Sequence, residues 1–312
     1  MAHLFRYCGL LFVAALLFIS TSVSSAEPPA GIDPPLAKRA LDELRRALAK
    51  EQGFIKVHAA DSLISLGFGA EILPVFIQEK QLHGNEKLVR VGIWRVLAQV
   101  CPTLGERERY LDALVVAAFD QQGTDRTQAI ESLAKLRYAI PTGELIEYRQ
   151  LADELTASAE ICARWLLAVN GANGAINSLS QLLASDAIET RAITAYALRH
   201  VAMQQKLPPN LLAQLQEAAR QPSDSWMQVY LESAAYVTAD DAKIRKEFVQ
   251  RLIQRVTAKS ATKDEKYEFA NGLAVKATTA ELPLLTKLLA DRDPDVRIAA
   301  ANAILQIDKR GR

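Results

Sequence analysis

The sequence predicts an all-α chain, a right-handed α-solenoid of about eight helix pairs. Three observations carry this. One helical pattern returns eight times along the 312 residues, its copies lie 30–40 residues apart, and the segments between them also read as helices. The pattern runs apolar, basic, two variable positions, two small or apolar residues, a spacer, a small residue, Leu, two spacers, apolar. Its clearest copies begin at Ile55 and Val296; the others begin at Val89, Asp125, Ser158, Thr190, Trp226 and Lys266. Two antiparallel helices with short turns need about this length. A unit that cannot cover its own apolar face is stable only when neighbours stack on it.

Arg6, the apolar run Tyr7 to Ile19 and the small residues Ser24, Ser25 and Ala26 have the charge, core and cleavage pattern of a secretory signal. The run is too short to cross a hydrocarbon core of about 30 Å at about 1.5 Å per residue. Residues 1–26 are therefore expected to be removed near Ala26-Glu27, giving an exported, periplasmic or extracellular protein. Residues 27–33, with Pro28 and Pro29, read as a linker. Pro34 and Pro35 then open a first helix, where a missing N–H is harmless, and Leu36, Ala40, Leu41, Leu44 and Leu48 follow at helical spacing. Partner helices are expected around 70–82, 107–119, 211–219 and 282–289. The solenoid spans 34–307, and Lys309-Arg310-Gly311-Arg312 gives a short basic tail over 308–312. The repeats stack into one elongated domain with a continuous core. Leu63, Leu133 and Ile304, facing their partner helices, are expected to be deeply buried. The last patterned helix ends at Ile307 with no polar helix after it, so either its end face is already polar or it meets something.

Charge excludes several function classes. The chain carries 37 basic and 36 acidic residues, and loss of Arg6 balances them. Attraction to nucleic acid or an anionic membrane needs a basic excess or patch, so neither is an expected partner, and no later stretch is long and apolar enough to span a membrane. Cys101 and Cys162 lie two repeats apart, beyond the roughly 7 Å Cα limit of a disulfide, and read as free thiols packed as small hydrophobes.

No chemistry stands out. His58, His83 and His200 sit on separate repeats without metal-ligand spacing. No phosphate-cradling loop or local nucleophile signature is present, so no catalytic residue, metal or cofactor is expected. Asp291, Asp293 and Asp295 alternate like the start of a calcium loop, but that loop wants Gly and Glu where Val296 and Asn302 stand. Helix capping explains them better. Trp94, Trp165 and Trp226 fall at different pattern positions and read as core.

The outward position of the pattern, the seventh, is more informative. Down the stack it holds Asp61, Arg95, Glu131, Arg164, Tyr196, Glu232, Gly272 and Asn302. Stacking would align these along the concave face. They could form an inter-repeat salt-bridge ladder, whose exposed pairs contribute about 0–1 kcal/mol each. Alternatively, Asp61, Arg95, Glu131, Arg164, Tyr196 and Glu232 form a recognition stripe in which Arg95 and Arg164 offer planar forks to an acidic group.

The final copy, Asp293-Pro294-Asp295-Val296-Arg297, and the recurring basic residues Lys56, Arg90, Arg126, Arg191 and Arg297 resemble the HEAT-like repeat family over residues 34–307; Gly272 interrupts the seventh copy. That resemblance implies a non-catalytic scaffold, here a monomer, binding a protein or peptide on its concave face. Some members of the family carry a name referring to phycobilin lyases, which would imply a bound linear tetrapyrrole. Phe54-Ile55-Lys56-Val57-His58-Ala59-Ala60, the run Gly92 to Gln99, and Asp125-Arg126 are similar to exported bacterial HEAT-like proteins encoded near sodium/solute symporters, which would imply binding a solute or sugar beside a transporter. The alternatives differ in shape: a long open groove suits a polypeptide, a deep pocket with convergent polar groups suits a solute, and a chromophore would colour the protein.

Overall fold

The computed structural model describes residues 32–311. They form sixteen α-helices, with no strand among the described residues. The odd-numbered helices are α1 (Pro34–Lys50), α3 (Gly69–His83), α5 (Leu104–Phe119), α7 (Leu145–Glu154), α9 (Ala175–Leu183), α11 (Pro209–Arg220), α13 (Ala242–Thr257) and α15 (Leu282–Leu288). The even-numbered ones carry the repeat: α2 (Gly53–Ser65), α4 (Arg90–Val100), α6 (Arg126–Lys135), α8 (Ala157–Val169), α10 (Ile188–Ala202), α12 (Gln228–Thr238), α14 (Lys263–Lys276) and α16 (Pro294–Gly311). Every helix expected from the repeat is present. The chain is an α-solenoid.

Local chemistry sets the boundaries. Pro34 sits in the first turn of α1. Thr262 and Glu265 form a reciprocal capping box at the start of α14. Asp293 accepts from the N–H groups of Asp295 (2.9 Å) and Val296 (3.3 Å), so the Asp291–Asp295 run caps α16 as expected. Gly67, at φ +97°, ends α2 while the Phe68 N–H returns to the Leu63 carbonyl, a Schellman-type stop that needs a residue tolerant of the left-handed region. The recurring basic residue has a physical role. Arg126, Arg191 and Arg297 donate to carbonyls of Ala118, Ser185 and Asp291, at the end of, or just after, the preceding outer helix, where the helix dipole favours a cation.

The stack is not elongated. Each even helix packs on the next, and α16 packs on α2, so the eight even helices close a ring. Helix α1 lies between α16 and α2 as α3 lies between α2 and α4. The even helices form the inner wall and the odd helices the outer one. The joint carries specific bonds: Arg297 Nε to Glu43 at 2.6 Å, His58 Nδ1 with Asp295 at 2.9 Å, and Gln306 Nε2 to Ser65 Oγ at 2.9 Å. This replaces the expectation of an elongated domain. The uncovered end face meets the first repeat of the same chain.

Taper is the reason. The inner helices meet through small side chains such as Ala59, Ala129, Ala163, Ala195, Ala235 and Ala300, all buried, whereas the outer helices insert Leu44, Phe76, Leu114, Leu179, Phe248 and Leu285. Pairs that are narrow inside and broad outside turn at every step. Gly272 shows how close the inner approach is: a Cβ there would lie 2.5 Å from Ser233 Oγ. Leu63, Leu133 and Ile304 are fully buried, as expected.

Two boundaries differ from the sequence reading. Helix α16 runs to Gly311, so the supposed basic tail continues it: Lys309 donates to the Ser65 carbonyl at 3.0 Å and Arg310 to that of Ala274 at 2.6 Å. At the other end Ile32 is buried in the core, so the last part of the expected 27–33 linker is packed. Residues 1–26, the expected signal segment, lie outside the described residues.

Candidate functional site

The inner helices run parallel: His58 and Asp295 pair at the N-terminal ends of α2 and α16, while Lys309 reaches Ser65 at their C-terminal ends. Eight helices spaced about 9–10 Å apart around a circle put their axes on a radius of about 12 Å. Subtracting about 5 Å of helix radius leaves about 14 Å across for side chains and open space. The structure holds a cavity of about 1070 Å³ there, lined from all eight inner helices. The concave surface is therefore the wall of a central cavity and not an open groove.

Asp61, Arg95, Glu131 and Tyr196 all face this cavity. Arg95, 4 % exposed, donates to Asp61 at 2.7 Å and to Ser132 at 3.3 Å, tying α2, α4 and α6 together. Asp61 also accepts from Gln99 at 3.1 Å. Glu131 pairs with Lys135 at 2.8 Å and accepts from the Tyr196 hydroxyl at 2.8 Å, across α8. The Asp61–Arg95 step is the first rung of the expected ladder; the Glu131–Tyr196 bond instead spans two repeats.

Arg164 and Glu232 do not join them. Arg164 pairs with Asp153 of α7 at 2.8 Å. Glu232 is buried and receives Arg255 of α13 at 3.1 Å. In α8 and α12 the register lies two residues from that read off the sequence, and two residues turn a helix by about 200°. Cys162 and Tyr230 occupy the inward positions instead. In α14 the shift is one residue: Asn271 faces inward and Gly272 packs on Ser233.

Several cavity residues escaped the sequence reading. Trp226, expected in the core, is 38 % exposed at the N-terminal mouth, with its ring 6.1 Å from Tyr230. Tyr230 lies 6.1 Å from Tyr196, which stands edge-on to His200 at 4.7 Å, and His200 stacks on Trp165 at 4.9 Å. Trp165 itself is fully buried core, as expected. Opposite this arc, Phe54, His58 and Tyr267 form a second aromatic face, with the His58 and Tyr267 centroids 5.6 Å apart. Arg199 binds Glu268 and donates to Ser233 at 3.0 Å. One signal was available: Tyr196, Tyr230, Tyr267, His58 and His200 all lie on pattern-bearing helices.

Burial, and then the charges of Arg199, Lys135 and Arg95, hold His200 well below the ordinary histidine range, so it is neutral. Burial and the neighbouring Glu131 carboxylate raise the Tyr196 hydroxyl well above its ordinary value. Burial alone would raise Glu131, but Lys135, Arg95 and the Tyr196 hydroxyl outweigh it and hold the carboxyl down at about 2. Cys162, a free thiol like Cys101, is pushed up by burial.

Glu131 yields a test. A carboxyl at about 2 in the fold and 4.5 in the unfolded chain contributes about 3 kcal/mol of stability above pH 4.5, lost as pH falls from 4.5 towards 2. Glu131→Gln should lower urea-unfolding stability by that order at pH 7, with the gap to the parent closing at pH 2.5. A gap constant with pH would refute the assignment.

Among the described residues no group of three or more His, Cys, Asp or Glu is placed to hold a metal ion, and no helix is long and apolar enough to cross a membrane. Residues 282–310, covering α15 and nearly all of α16, match the HEAT repeat family model. No curated protein matches the chain. The matched segment is similar to a HEAT repeat, and the stacked helix pairs around it are consistent with an α-solenoid.

Proposed function

We propose that this chain is a monomeric, non-catalytic binding protein that holds a small polar solute in the cavity at the centre of the ring, and that it acts after export and removal of residues 1–26. One observation carries the reading: two aromatic faces and several polar groups converge on a cavity of about 1070 Å³. Ordinary ligand pockets have volumes of about 300–1000 Å³, with mostly apolar walls and a few placed polar groups. A polypeptide crossing an open concave surface would need a groove, and the closed ring provides none.

The test is release of the natural ligand. Protein purified under native conditions, or equilibrated with a metabolite extract and then desalted, is denatured, and the released small molecules are identified by mass spectrometry. A stoichiometric compound is expected from the parent and not from a folded Tyr196→Ala/Tyr230→Ala double variant. Equal release from both, or no compound from either, would reject the cavity as the binding site. Absorbance in the visible range would move the reading to a chromophore.

A second reading, a protein partner, has its own support. Leu104 and Val116 on α5, Ile146 on α7, and Ile77 and Leu82 on α3 are exposed on three successive outer helices, and exposed apolar surface marks interaction sites. Interaction is also a common role of HEAT repeats. A partner docked there would leave the cavity free.

A further inference from the structure

The charges around the cavity are already matched. Asp61 meets Arg95, Glu131 meets Lys135, and Glu268 meets Arg199. His58 is paired with Asp295. At the C-terminal mouth Lys309 and Arg310 donate to carbonyls of the last turns of α2 and α14, where parallel helix dipoles gather partial negative charge. Lys309 and Arg310, which bond only to carbonyls, are the cations of the wall outside these pairs, and both lie at the C-terminal mouth. Two neutral polar groups of the wall, the His200 imidazole, stacked on Trp165, and the Tyr230 hydroxyl, face the cavity; the buried Nε of Arg95, whose charge Asp61 already meets, has no hydrogen-bond partner among the described residues. Beside the two neutral groups stand the ring faces of Tyr230, Trp226, Phe54 and Tyr267.

Resting on the solute-binding reading, we propose that the ligand is an uncharged, hydroxyl-bearing ring compound, a neutral oligosaccharide of a few units. Between the two aromatic faces a charged ligand would lose its hydration and meet only the paired charges of Asp61–Arg95, Glu131–Lys135 and Glu268–Arg199, an unfavourable exchange. A hydrocarbon ligand would bury His200 and Tyr230 unsatisfied. A neutral sugar ring avoids both penalties: its C–H face lies on an aromatic ring and its hydroxyls reach the imidazole and the phenol. The volume, at the upper end of ordinary ligand pockets, holds more than one such ring.

The test is a panel of glycans matched in size and differing in charge, with neutral di- and trisaccharides against the corresponding uronates and amino sugars, and with choline and naphthalene as non-sugar probes. Binding is read by tryptophan fluorescence, since Trp226 lies at the mouth and Trp165 lies under His200, and by calorimetry. The expected result is binding confined to neutral glycans, at least tenfold tighter than the best charged congener. His200→Leu, which keeps the bulk but removes both ring nitrogens, should weaken that binding about tenfold with little change in melting temperature. Equal or tighter binding of a uronate, an amino sugar, choline or naphthalene overturns the proposal, as does unchanged affinity in His200→Leu. If no glycan binds while a small molecule is still released from the native protein, the sugar assignment fails and solute binding stands. If nothing is released either, both fail.

Discussion

Leu44→Ala is expected to destabilise the protein by about 2–5 kcal/mol, the range for removing a fully buried leucine side chain, and to do so at both ends of the chain at once. Leu44 is fully buried in α1, which packs against α2 and against α16, more than 240 residues away in sequence. In an open solenoid contacts are nearest-neighbour, and a defect in the first helix would spread only into the first repeats. In the ring it must also reach α16. Hydrogen exchange on the variant should show lost protection in α2 and α16, with α8 and α10, on the far side, least affected. Loss confined to residues 32–100 would mean that the joint between α1 and α16 contributes nothing to stability, and the closed ring would be refuted. Arg297→Ala, which removes the 2.6 Å bond to Glu43, should weaken the same joint with a smaller effect.

The second large effect is expected at the Arg199–Glu268 pair. Both residues are almost fully buried, Glu268 at 2 % exposure, and the pair joins α10 to α14 across α12. Burial pushes the Glu268 carboxyl up while the Arg199 guanidinium opposes it. Glu268→Ala would leave that guanidinium buried with only Ser233 for a partner. Breaking a buried pair from one side costs about 3–5 kcal/mol, whereas replacing both members with apolar residues is often near neutral. Denaturant unfolding should therefore find Glu268→Ala far less stable than the parent and Arg199→Met/Glu268→Met much closer to it. Stabilities that simply add across the two sites would mean that the residues act independently, and the pair would lose its role in holding the cavity wall.

The candidate site was partly legible because early inner helices keep a polar face. In α2 and α6 the inward residues Asp61 and Glu131 interrupt otherwise apolar or small surroundings, so periodicity picks them out. In α12 it cannot. Every residue from Gln228 to Thr238 is buried except Tyr230, because the helix touches neighbours on both sides and an outer helix behind. With no solvent-facing stripe, the apolar pattern has no phase, and the two-residue slip that misplaced Glu232 follows. Helix α8, rich in Ala and Leu, lost its phase for the same reason and misplaced Arg164.

Local pattern alone was enough for the helices, their pairing and the burial of Leu63, Leu133 and Ile304. A 3.6-residue period, a cap at Asp293 and a stop at Gly67 act within one or two turns of chain. Closure is of another kind. The small turn between successive pairs depends on the difference in width between Ala-rich inner contacts and Leu- and Phe-rich outer ones, and its consequence appears only after eight steps. A modest change at each step would leave an open superhelix, with Asp61 and Tyr196 on a groove and α16 bare. Because the turns sum to a full circle, α16 meets α1 and α2, the concave stripe becomes the wall of a central cavity, and Glu131, Tyr196, His200 and Tyr230, up to 99 residues apart, come to face the same space.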